Sequence, residues 1–153
     1  MRVHGTILSL DLATNLGFCV GTPGTMPAFG MHRLPSTGDD IGSFAVAYEE
    51  WLRAQFIAHA PELVIFEAPI LPQKTQLMTV RKLTGLAYDT ERQCKIARVI
   101  CREGRKSSVN KAFTGSGKAS KDDTIAAARR YGFRVRGDDD ADAVALWCFA
   151  VLC

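Results

Sequence analysis

Hydrophobic and polar positions along this chain alternate between two-residue and helical periods. Residues 6–11 (TILSLD) are rich in branched apolar side chains and close on an acid, which predicts a buried strand. Residues 16–21 (LGFCVG) and 28–34 (AFGMHRL) predict two more short strands, with Pro23, Gly24, Thr25 and Pro27 marking the turn between them. Three strands on short connections predict an antiparallel meander. Over 40–59, Ile41, Phe44, Tyr48, Trp51, Leu52 and Phe56 recur at helical spacing, with Asp39 or Asp40 as cap and Pro61 as stop. Residues 62–66 (ELVIF) are apolar enough for a central strand, which runs into Glu67, Ala68 and Pro69. Further along, the pattern predicts a helix over 74–92, a strand over 96–101 (IARVIC) and helices at about 107–113, 121–131 and 139–152. This succession predicts one α/β domain over 1–153, a five-stranded mixed sheet flanked by helices.

Composition agrees with that picture. The chain has 153 residues, 47% hydrophobic and 23% charged, which excludes a disordered or fibrous protein. A chain this long buries roughly two-thirds of the surface it exposes when unfolded, so it needs no disulfide or metal staple. The five cysteines (Cys19, Cys94, Cys101, Cys148, Cys153) form no CxxC pair, and His4, His32 and His59 are scattered. That excludes a zinc finger and predicts reduced, mostly buried thiols. No apolar run approaches ~18 residues, and Asp11 interrupts the opening apolar stretch. With no secretory h-region or cleavage site, the expectation is a cytoplasmic protein without a membrane partner.

Charge changes the picture more. Net charge is only +3, but it is unevenly spread. Residues 1–73 hold three basic residues against seven acids; residues 92–121 hold nine basic residues against Glu103 alone. A basic segment beside an acidic half suits a protein that tracks phosphates around a metal-binding centre, although a solvated basic face has the same composition.

The acids stand in costly places. Asp11 and Glu67 lie at the ends of strongly apolar strands, where an unpaired carboxylate costs several kcal/mol or more. In GDDDADAVALWCFAVL, acids crowd the first turn of an apolar helix, with Asp139 and Asp142 three apart on one face. Asp138 and Asp140 are expected to cap that helix. If Asp11, Glu67, Asp139 and Asp142 converge, they repel unless a proton or cation is shared. Such an oxygen set suits Mg²⁺ or Mn²⁺, and two ions ~4 Å apart clamp the attacking and leaving oxygens of a phosphodiester.

The segment TGSGKASK (114–121) invites a phosphate-loop reading that fails on spacing. Ala112 stands where the first glycine should be, and Ala119 follows Lys118 where Ser or Thr is needed. No nucleotide cofactor is expected. A tight turn with Ser120 capping the next helix fits better, and its N–H groups with Lys111, Lys118 and Lys121 could hold DNA phosphates.

Taken together, ILSLDLATNLGFCV, PELVIFEAP, VNKAFTGSGKASKDD and DDDADAVALW resemble, in order and over almost the whole chain, the motifs of RuvC-type Holliday junction resolvases, in their phage-like or bacterial branch. The resemblance implies an RNase H-like fold and a homodimer that cuts two strands of a four-way DNA junction symmetrically. It implies that Asp11, Glu67, Asp139 and Asp142 are catalytic acids holding two Mg²⁺ or Mn²⁺ ions, and that Lys121 contacts the DNA backbone near the cut. Arg105, Lys106, Lys111 and Lys118 join Lys121 as expected DNA contacts. The family's other active-site lysine falls at Asn110, and Lys111 beside it is expected to take that role. Ile70 stands where bacterial members carry a stacking aromatic.

The function expected is thus a metal-dependent, structure-selective endonuclease leaving 5′-phosphate and 3′-hydroxyl ends, in a bacterial or phage-infected cell. Two alternatives are a non-catalytic branched-DNA binding module, which predicts a missing acid, and an RNase H-like nuclease acting on RNA–DNA hybrids. Fold alone does not separate the last from a resolvase.

Overall fold

Strand β1 (Ile7–Asp11) alternates cleanly between two layers. Ile7 packs into one hydrophobic cluster, Leu8 and Leu10 into another, and Ser9 is buried between them. A strand buried on both faces belongs at the centre of a sheet, and β1 is there. The structure, a computed structural model, describes residues 2–153 except 72 and 75. On one side of β1 lie antiparallel β2 (Asn15–Gly21) and then β3 (Ala28–Arg33). On the other side, β4 (Leu63–Glu67) and β5 (Ile100–Gly104) run parallel to it. The order β3-β2-β1-β4-β5 is the expected five-stranded mixed sheet, opened by the expected meander.

Helices cover both faces. Phe44, Tyr48 and Leu52 of α1 (Ile41–His59), with Leu86 and Cys94 of α2 (Leu77–Ala97), pack on Leu8, Leu10, Val64 and Phe66. Across the sheet, α3 (Lys106–Thr114), α4 (Lys121–Arg130) and α5 (Asp138–Leu152) bury Val109, Phe113, Ala127 and Leu146 against Ile7, Leu63 and Ile65. Each large aliphatic side chain so buried contributes about 1.5–3 kcal/mol. Ala141, Ala143, Ala145 and Ala150 bring α5 close to the strands. Two hydrogen bonds then pin it: Ser9 Oγ donates to the Ala143 carbonyl at 2.6 Å, and Trp147 Nε1 to that of Gly21 at 3.3 Å.

Local signals mostly act as predicted. The Asp40 carboxylate accepts from the Ser43 N–H at 2.9 Å and caps α1, which ends before Pro61. Ser120 and Asp123 exchange side chain-to-backbone hydrogen bonds at the start of α4. Two elements lie further along the chain than expected, α2 and β5. Helix α2 runs to Ala97 rather than 92, ending where Arg98 turns left-handed at φ 58°; within its predicted span, residue 75 lies outside the described residues. Strand β5 begins at Ile100, four residues later than predicted, and Ile96 is exposed on the helix. As an edge strand, β5 tolerates Arg102 and Glu103, and those charges hid its true extent. All five cysteines are free thiols, with Cys19 and Cys94 buried. Among the described residues, no helix is long and apolar enough to cross a membrane.

Candidate active site

Parallel pairing of β1 with β4 places their acids together. The ladder pairs Leu10 with Phe66, so the next residues, Asp11 and Glu67, leave the sheet at the same edge. Two-residue alternation continues Ile7 and Ser9 into Asp11, and Leu63 and Ile65 into Glu67, which turns both carboxylates toward α5. That helix brings Asp139 and Asp142 on one face of its first turns. Gly17 of β2, opposite Asp11 in register, makes this approach possible. A Cβ at Gly17 would stand 2.0 Å from the Asp139 carbonyl oxygen and 3.4 Å from Asp11 Cβ, so only glycine lets the start of α5 lie there. Gly17→Ala is expected to cost about 1–3 kcal/mol, read as a lower thermal midpoint, and to depress activity by shifting Asp139.

Lys106 stands among the acids. Strand β5 is parallel to β4 and pairs Gly104 with Glu67, so the chain leaves β5 at the same edge and enters α3 beside the carboxylates. Lys106 Nζ lies 3.3 Å from Glu67 Oε1 and 3.7 Å from Asp142 Oδ2, and the side chains of both acids are nearly buried. Asp11, Glu67 and Lys106 line a cleft of about 250 Å³ with Pro69, Ile70 and Leu83.

Its electrostatics reflect too much negative charge for one lysine. Burial, then the charges of Asp142 and Glu67, push the Asp11 carboxyl up to about 8. Burial raises Asp142 above the ordinary carboxylate range despite Lys106, and burial with neighbouring Asp138 raises Asp139. Desolvation works against the Lys106 ammonium, but Asp142 and Glu67 outweigh it, so its pKa rises.

Other predicted residues fall differently. Lys121 Nζ is 2.6 Å from Asp138 Oδ2; that hydrogen bond raises the lysine and lowers the acid. Asp138 therefore holds Lys121 instead of capping α5. The capping falls to Asp140 alone, whose carboxylate accepts from the N–H groups of Arg136 at 2.8 Å and Gly137 at 3.0 Å. Arg105, Lys111 and Lys118 are exposed, and among the described residues none forms an ion pair. The lysine between the acids is Lys106, expected from the sequence as a DNA contact, and not Lys111. Asn110, one helical turn further along α3, is buried.

The donor set is all oxygen, which fits a hard divalent cation, and the raised carboxyls mark a site short of positive charge. As placed, and among the described residues, no three Asp, Glu, His or Cys side chains are gathered to ligating distance. Lys106 is what bridges Glu67 and Asp142.

No family model and no curated protein sequence matches this chain. Solved structures do. Thermus thermophilus RuvC superposes with a TM-score of 0.74 at 18% identity, covering 92% of this chain and 90% of the other. The same organism's RuvC in complex with Holliday junction substrate gives 0.79 at 19% identity, covering 97% and 96%. The yeast mitochondrial Holliday junction resolvase Ydc2 gives 0.68 at 13% identity, covering 99% and 82%. The chain therefore has the α/β fold of these resolvase structures over nearly its whole length.

Proposed function

We propose that this chain is a metal-dependent, structure-selective endonuclease that resolves four-way and other branched DNA by paired symmetric nicks, leaving 5′-phosphate and 3′-hydroxyl ends. One observation carries the reading: Asp11, Glu67 and Asp142 converge around Lys106 at the carboxyl edge of a RuvC-type sheet, with Asp139 against Gly17 beside them. Folding four acids there costs stability, and the catalysis of phosphodiester cleavage accounts for them. One neighbour of the same fold is held in complex with a Holliday junction, which supports branched DNA as the substrate class.

Asp11, Glu67, Asp139 and Asp142 would hold two Mg²⁺ or Mn²⁺ ions. Bound there, the ions supply Lewis acidity toward the phosphoryl oxygens and a water acidified for in-line attack. The chain's own residues do the rest. The two carboxylates fixed by the sheet give the centre its rigidity, because each closes a strand buried on both faces. Lys106, taking the role expected of Lys111, offsets their charge and presents an ammonium to the phosphate as it gains negative charge. Lys121, exposed and drawn toward the site by Asp138, contacts the backbone with Lys111, Lys118 and Arg105. A homodimer would fix two such centres at one spacing, which selects branched DNA by shape.

The test is cleavage of a labelled four-way junction beside linear duplex and an RNA–DNA hybrid, with Mg²⁺, Mn²⁺ or EDTA. Cutting of the junction that EDTA abolishes is the expected result, with affinity falling steeply as salt rises. Binding without cutting in either metal supports an architectural module instead, and cutting confined to the hybrid supports an RNase H activity.

A further inference from the structure

Asp139 also lines a second and larger cavity, of about 620 Å³, which Asp11 and Glu67 do not reach. Its floor includes Phe29 and Met31 of β3, the edge strand of the sheet. Phe29 is braced edge-on by Phe133, with ring centroids 6.1 Å apart. Met31 is 49% exposed and pairs in register with Gly17, so no β2 side chain fills the space between it and the start of α5. The segment leading into α5 lines the cavity with Arg134 and Arg136. Both arginines are exposed, and among the described residues neither has a carboxylate partner. Asp140 lies in the lining too, but its two oxygens are engaged by the N–H groups of Arg136 and Gly137.

Two guanidinium groups without an ion pair among the described residues stand beside an apolar floor, with Asp139 and Asp140 in the same lining. Guanidinium forks match phosphate oxygens, and a flat apolar surface carries the face of a base whatever its identity. The volume lies in the range of sites that enclose a small organic ligand. Asp139 lies in this lining, shares one face of α5 with Asp142, and is near enough to Asp11 for its charge to act there.

We propose that this cavity is a nucleotide subsite, which takes the phosphate and base adjoining the phosphodiester to be cut. Arg134 and Arg136 grip the phosphate, and Phe29 and Met31 carry the base. The subsite thereby adds affinity for the strand beside Asp139 and makes these residues substrate-binding groups. This assignment rests on the nuclease reading given above.

The test uses the full chain and a fluorescent four-way junction. Binding is measured in EDTA, where no cutting occurs, for wild type, Arg134→Ala/Arg136→Ala, Met31→Glu and a charge-matched control, Arg2→Ala/Arg53→Ala. The arginine pair variant is expected to weaken affinity about tenfold and to flatten the slope of log affinity against log salt by about 0.7–0.9, as loss of one neutralised phosphate requires. Met31→Glu is expected to weaken affinity comparably, with the control unchanged and all thermal midpoints preserved. With Mg²⁺, the arginine pair variant should raise KM while kcat stays within about twofold. Unchanged affinity and slope in the arginine pair variant, or an equal loss in the control, would overturn the subsite. Failure of wild type to cut any DNA in Mg²⁺ would overturn the nuclease reading, and the EDTA binding series would still decide the cavity.

Discussion

Asp142→Asn abolishes junction cutting, with a rate at least about 10³-fold below wild type, while junction affinity stays within a few-fold. The magnitude follows from the proposed role: a carboxylate that would help hold the cations is removed, and with it much of the electrostatic stabilisation of the transition state. Affinity should survive because, on the proposed reading, it resides mainly in phosphate contacts made by the basic segment. Single-turnover cleavage with a parallel binding titration reads both quantities. Loss of binding together with a lowered thermal midpoint would make Asp142 a structural cap. Asp11→Asn should behave likewise in cleavage and adds a second signature. Burial and neighbouring acids push the folded-state carboxyl up from 3.8 to about 8, so the folded protein holds that proton more tightly than the unfolded chain. The stability Asp11 contributes is therefore full below pH 3.8 and is lost as pH rises to about 8. In EDTA, Asp11→Asn should melt above wild type at the alkaline end of that window and level with it at the acid end.

Lys106→Ala lowers cleavage by about 10²–10³ and leaves junction affinity within a few-fold, whereas Lys111→Ala changes cleavage by less than about tenfold. The contrast follows from position. Lys106 Nζ stands within 4 Å of both Glu67 and Asp142, while Lys111 is exposed on α3 without an ion pair among the described residues. Lys106→Arg should recover only part of the rate, because a guanidinium cannot occupy the same point between two carboxylates. Equal losses in the two alanine variants, or a larger one at Lys111, would return the role to Lys111.

Much of this site was legible in the sequence for physical reasons. An acid that closes a strand buried on both faces is too costly to be incidental, which singled out Asp11 and Glu67. Helical spacing placed Asp139 and Asp142 on one face, and the meander followed from short connections rich in proline and glycine. Lys106 was hidden by a displaced boundary. With β5 read at 96–101, this lysine fell in a loop; with β5 ending at Gly104, it enters α3 beside Glu67. The displacement arose because Ile96 and Ala97 look like strand residues, while Arg102 and Glu103 of the edge strand do not. Asp138 resembled a cap because short acids favour helix starts; its pairing with Lys121, seventeen residues earlier, depends on how α4 and α5 pack. The need for glycine at position 17 likewise exists only once α5 has docked on β2.

Strand-resolved mapping of cuts in a four-way junction, each strand labelled in turn, separates a resolvase from any other nuclease. Mg²⁺-dependent nicks at symmetric positions on two opposing strands are expected, with religatable 5′-phosphate ends, and none from Asp142→Asn. Unpaired cuts scattered over all four strands, or cutting that persists in Asp142→Asn, would contradict the resolvase reading.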